Sequence, residues 1–176
     1  MPRRAFLPDL LAPDLPLVIV GFNPGAVSAS QGHYYAKPGN QFYPLLHHAG
    51  LTPRRLFPGE DHTLPNHGIG LVDLCPWRAG QSDLLTPRDV AQGRRALLAK
   101  LGKARPRAVA FNGLTLFKHV FGRMPAPGLQ EEKLGKSAVF ALPSTSGLVN
   151  GRWREREAAF LALAAWLRPR GPAAGG

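Results

Sequence analysis

LVIVGFNPGAVSAS, residues 17–30, carries an apolar, β-branched run straight into Asn23-Pro24-Gly25 and then into small residues. Val and Ile inside a continuous apolar stretch read as a strand buried on both faces, the kind a parallel sheet uses. A residue directly before proline is held extended, so the strand continues to Asn23 until Pro24 redirects the chain. Gly25 and the small residues Ala26, Ser28, Ala29 and Ser30 leave room for another molecule to approach the backbone. Asn-Pro-Gly is also ordinary turn chemistry, and taken alone it leaves both readings open.

Working outward, residues 40–50 predict a short helix with an Asn cap, and 68–75 a second strand. Residues 86–103 give the clearest helix: Thr86 caps it, Pro87 takes its first position, Asp89 completes a capping box and Gly102 marks its exit. Residues 107–113 read as a third strand leading into a helix over LTLFKHVF, 138–144 as a fourth strand, and 153–167 as a closing helix. The segment 122–136 reads as a basic, turn-rich connection. No repeat or long linker divides the chain, so one domain over residues 1–176 is expected. Its core is expected at about 15–168, between a flexible N-terminal arm and a C-terminal tail. Strands alternating with helices predict a three-layer α/β/α sandwich around a mostly parallel, four-stranded sheet. Ligands of such sheets bind outside the carboxyl ends of the strands. NPG, PWRAGQSD and PSTSGL each follow a strand and would share that rim.

The chain has 176 residues, enough for one domain with a full core. Lys and Arg number 22 against 11 Asp and Glu, a net charge of +11. That bias points to a polyanionic partner, nucleic acid above all, the alternative being a generally basic proteome. The single Cys75 excludes a disulfide scaffold and a cysteine-ligated cluster. Pro8, Pro13 and Pro16 break any signal-peptide core, and AAFLALAAWL (158–167) is about half a membrane span. A cytoplasmic protein with no membrane partner is expected. His33, His47, His48, His62, His67 and His119 are scattered without ligand spacing, so no metal and no cofactor is expected.

GHYYAKPGNQFY (32–43) places Tyr34, Tyr35, Phe42 and Tyr43 around Lys37, a mixture suited to a flat base and a phosphate. Core packing is the competing reading, favoured for Phe42. GFNPG, this aromatic stretch and LPSTSGL, in that order and at this spacing, resemble the mismatch-specific uracil/thymine-DNA glycosylases of the uracil-DNA glycosylase superfamily. The resemblance spans about residues 17–167. It implies a parallel four-stranded sheet between helices and a monomeric DNA repair enzyme. That enzyme would flip uracil, opposite guanine for preference, out of double-stranded DNA and hydrolyse its N-glycosidic bond.

Carried over by position, the resemblance makes Asn23 the active-site amide that holds the attacking water, and Tyr35 the aromatic that stacks on the base. Phe22, Gly25 and Ser28 fall in the segments lining the base pocket. Ser144, Ser146, Gly147 and Leu148 form the loop that enters the duplex, with Leu148 as the wedge. The family's common Arg two positions beyond the wedge is Asn150 here, and Arg152 and Arg154 follow on the DNA side. An amide oxygen orients water but is no general base. Asp83, on the same rim, is therefore the candidate carboxylate to activate water or stabilise the cationic sugar, or else a loop or helix-start Asp. Asp73, inside strand two, reads as structural, and Asn112 as a turn or cap residue. Two rivals stay open: a superfamily enzyme preferring another damaged base, and a non-catalytic damaged-DNA-binding module.

Overall fold

The structure, a computed structural model, describes residues 5–147 and 152–169. Five strands form one sheet: β1 (Leu17–Gly21), β2 (Ile69–Asp73), β3 (Ala108–Asn112), β4 (Gly128–Leu134) and β5 (Ser137–Leu142), in the order β2-β1-β3-β5-β4. β1 pairs in parallel with β2 and β3, and β3 with β5, whereas β4 runs antiparallel to β5. The helices are α1 (Ala26–Gln31), α2 (Phe42–His48), α3 (Pro87–Ala104), α4 (Leu114–Phe121) and α5 (Trp153–Leu167).

Side-chain alternation along each parallel strand divides the core into two layers. Leu17, Ile19, Leu71, Ala110 and Phe140 pack under Leu45 and Leu46 of α2 and Phe160 and Leu163 of α5. Val18, Val20, Val72, Val109 and Val139 face Leu97 and Leu101 of α3 and Leu116, Phe117 and Val120 of α4. The sheet thus lies between two helical layers, as the strand–helix alternation predicts.

Four expectations change. The connection at 122–136 contains β4, so the sheet has five strands and not four. GLQEEKL alternates half-buried with exposed residues along an edge strand, so it lacks the apolar run that betrays an inner strand. Two segments to which the sequence reading assigned no helix hold α1 and a 3-10 stretch, Pro58–His67. α3 runs past Gly102 to Ala104, and Arg105 closes it in a left-handed conformation at φ 49°. The N-terminal segment is packed, so the core begins before residue 15: Leu7 is buried, and Leu10 bridges Leu71 through N–H···O bonds of 2.9 Å in both directions. Among the described residues no helix is long and apolar enough to cross a membrane.

Candidate active site

Because β1, β2, β3 and β5 are parallel, their carboxyl ends share one rim. Gly21, Asp73 and Asn112 end their strands in phase with Ile19, Leu71 and Ala110, so all three face the layer that holds Tyr34, Tyr35 and Phe42.

Asn23 stands just beyond β1, partly exposed. Its Nδ2 donates to the carbonyls of Arg78 at 3.2 Å, Gly80 at 3.1 Å and Pro24 at 3.4 Å. Carbonyls accept only from the nitrogen end, which fixes the amide's orientation. No described residue donates to Oδ1, so that oxygen is left to accept from a water or a substrate. The loop supplying the carbonyls is itself tied down, since Gly80 N–H donates to Pro24 O at 2.9 Å. Arg78 pairs with buried Asp89 at 2.9 Å, and Trp77 Nε1–H donates to the same carboxylate at 3.4 Å. The Arg78 guanidinium, with the Thr86 hydroxyl and N–H, holds the Asp89 carboxyl well below the usual range. The capping box read from the sequence is present, with Asp89 N–H donating to Thr86 Oγ1 at 3.1 Å. Its acid also steadies the loop that aims Asn23. Gly93 lets α3 sit this close: a Cβ there would lie 2.3 Å from Leu74 O.

Tyr35 is the half-buried aromatic of its group, stacked on Phe42 with ring centroids 4.0 Å apart and planes at 27°. Tyr34, Phe42 and Tyr43 are core residues. Tyr35 holds a left-handed backbone at φ 54°, costly for a bulky side chain. Its neighbours are pinned on both sides. Tyr34 N–H donates to Asp61 Oδ2 at 2.9 Å, Tyr43 Oη–H to Tyr34 O at 2.8 Å, and Ala36 N–H to Ser28 Oγ at 3.0 Å. Buried Ser28 therefore holds the aromatic turn in place. His33, half-buried, contacts Asp61 at 3.2 Å beside this turn. A side chain on Gly25 would meet open space. Phe22, expected to line the base pocket, packs in the layer opposite that of Tyr35, its ring 5.2 Å from His119.

The hydroxyl end of Tyr35 is buried. A Cβ on Gly21 would lie 3.1 Å from Tyr35 Oη and 2.3 Å from Asp73 Oδ1, so the glycine makes room for both. Asp73, buried at the end of β2, is pushed up to about 7 by desolvation and by Asp9, against a smaller opposing pull from Lys100. Burial and Asp73 together also raise the Tyr35 hydroxyl.

At the end of β3, Asn112 holds the loop after β5 that the sequence reading assigned to DNA. Its Nδ2–H donates to Thr145 Oγ1 at 3.0 Å and its Oδ1 accepts from Thr145 N–H at 3.2 Å. Gln41 N–H donates to Thr145 O at 2.9 Å, and a Cβ on Gly147 would strike Gly39 O at 2.6 Å, so this loop lies against residues 39–41. Buried Arg156 joins the two segments, donating to Ser146 O at 2.7 Å and to Gln41 Oε1. The sequence reading missed Arg156; the signal was an Arg on the helical stripe of Ala159, Phe160 and Leu163. Ser144, Arg152 and Arg154 are exposed. Leu148 and Asn150 lie outside the described residues. Asp83 is exposed in the short 3-10 turn Ser82–Leu84, three residues beyond the Gly80 carbonyl that holds Asn23. Among the described residues no group of three His, Cys, Asp or Glu could hold a metal ion.

This arrangement has relatives. The solution structure of an inferred uracil DNA glycosylase from Methanosarcina acetivorans superposes with a TM-score of 0.54. The alignment covers 92% of this chain and 98% of that one at 21% identity, a likeness of fold. The family model of the uracil DNA glycosylase superfamily matches residues 8–168. Since that span includes every strand and helix described above, the chain belongs to the uracil DNA glycosylase superfamily.

Proposed function

We propose that the protein is a monofunctional DNA glycosylase that turns uracil out of double-stranded DNA, G·U mismatches for preference, and hydrolyses its N-glycosidic bond to leave an abasic site. The observation that carries this reading is Asn23, an amide at the carboxyl-end rim of the sheet whose nitrogen is committed to three carbonyls and whose oxygen accepts from no described residue.

C1′ of a stacked deoxyribose is out of reach of any side chain. The nucleotide must leave the helix, at a cost of roughly a few kcal/mol that is smallest for a mismatch. In this scheme the Tyr35 ring receives the base, and the loop from Ser144 through Leu148 fills the gap it leaves. As the bond breaks, charge grows on the base and on the sugar, and Asn23 Oδ1 orients the water that attacks C1′. Asp83 supplies the nearby negative charge in this scheme, either to the water or to the cationic sugar.

The test is to incubate the protein with G·U, A·U and G·T duplexes and with single-stranded uracil DNA, then to score alkali-labile sites. Cleavage is expected fastest for G·U and lost in Asn23→Ala while duplex binding persists. Binding without cleavage by the parent protein would identify a damage-binding module instead.

A further inference from the structure

On the helical layer opposite the one that holds Tyr35, a groove of ≈ 570 Å³ opens between α3 and α4. Leu85, Pro87, Val90 and Ala91 give it an apolar wall. Arg94, Arg95 and His119 give it a cationic and polar one. Helical period explains the division. Positions 87, 90, 91, 94 and 95 share one face of α3, so that face is apolar near its start and cationic further along. Leu84, next to the apolar end, is 72% exposed.

The groove is held in shape without an occupant. Arg94 Nε–H donates to Val120 O at 2.8 Å and so ties α3 to α4. The Phe22 ring stands 5.2 Å from His119 at 69° and braces the imidazole. Its positive charge is not compensated from within: no Asp or Glu lines it, and Arg95 has no ion pair among the described residues.

We propose that this groove docks an acidic segment of a partner protein, one that carries bulky apolar residues beside its carboxylates. The carboxylates meet Arg94, Arg95 and His119, and the apolar residues lie against Leu85, Pro87, Val90 and Ala91. Such docking is independent of which base the active site takes. Charge and polarity together select the partner. A phosphate backbone needs cations but gains nothing from the four apolar side chains. Unpaired bases would need an open aromatic face, whereas Phe22 is turned edge-on to His119. A second copy of the chain, itself at +11, is repelled. An acidic, apolar-ended segment suits both walls: its anchors lose water in the groove, and its carboxylates speed encounter and fix direction. From Pro87 to Arg95 the helix rises about 12 Å, the span of roughly four extended residues, so a hexapeptide covers it.

The experiment titrates the full chain into a fluorescein-labelled hexapeptide, Asp-Glu-Asp-Asp-Leu-Phe, and follows its anisotropy for the parent, Ala91→Trp and Arg95→Glu. Ala91 is exposed on α3, so Trp there plugs the groove; Arg95→Glu reverses one charge and leaves Arg94 on Val120 O. Saturable binding by the parent is expected below about 1 mM, weakened about tenfold or more by either variant. Neutralising the peptide to Asn-Gln-Asn-Asn-Leu-Phe, or replacing its Leu-Phe by Gly-Ser, should each weaken binding about tenfold. Circular dichroism checks that both variants fold, and should Ala91→Trp fail, Arg95→Glu decides. No saturable binding by the parent, or equal binding by parent and Arg95→Glu, would overturn the proposal. So would an Ala91→Trp variant that loses affinity for undamaged duplex but keeps the peptide, which would make the groove a DNA surface. A parent dimer that Ala91→Trp dissociates in light scattering would overturn it too, by making the groove a self-interface.

Discussion

At Asn23 the chemistry depends on which end of an amide faces the protein. Three carbonyls take the nitrogen, so the oxygen is what remains for a water. Replacing the residue by Asp, which on paper installs a base, would turn a carboxylate oxygen toward those carbonyls. Asn23→Asp is therefore expected to lower stability by about 1–3 kcal/mol. The loss should be larger at pH 8 than at pH 5, where a protonated carboxyl can still donate. Thermal melting at the two pH values measures this, and an unchanged melting point at pH 8 would contradict the carbonyl cage. Asn23 was legible in the sequence because Asn-Pro-Gly after an apolar run is a local signature. The surroundings of Asp73 were not legible, because an acid inside a strand carries no local sign of what it faces. Arg156 was missed because its partners, Ser146 O and Gln41 Oε1, are set by the tertiary fold.

Helix α3 shows how one element fixes a side chain on another. Its first turn fixes Asp89, Asp89 fixes Arg78, and the Arg78 carbonyl holds Asn23. Removing the acid with Asp89→Ala should cost about 2 kcal/mol through the lost cap and the stranded Arg78. It should also reduce kcat more than substrate affinity, because Asn23 loses its aim. The pH dependence has a definite sign. The folded carboxyl titrates below its ordinary 3.8, so its contribution is complete above about pH 4 and is lost as pH falls through the depressed value. The melting-point gap between parent and variant should accordingly shrink from pH 6 toward pH 3; a constant gap would argue against the ion pair. Thr86, Pro87 and Asp89 announce this helix within four residues, which made it readable. β4 announces nothing comparable, since an edge strand wet on both sides needs no apolar period.

Across the whole molecule, 22 basic residues against 11 acidic ones set up a long-range pull on a phosphate backbone. Duplex affinity should fall by about 10³-fold or more between roughly 50 and 200 mM salt if some six phosphates are engaged. Fluorescence anisotropy over that range measures it, and a flat response would remove the charge argument. The amino-acid sequence by itself determined the four parallel strands, the cap and direction of α3, and the common rim on which the loops meet. Those follow from apolar period and capping chemistry, which act over a few residues along the chain. The tertiary structure alone decided what each polar group on that rim faces. Asn23 meets carbonyls 55 and 57 positions away, and Gln41 meets an arginine 115 positions away. Such pairings exist only once the sheet has brought distant strand ends together, because no local spacing rule constrains which backbone carbonyl will stand opposite a given side chain.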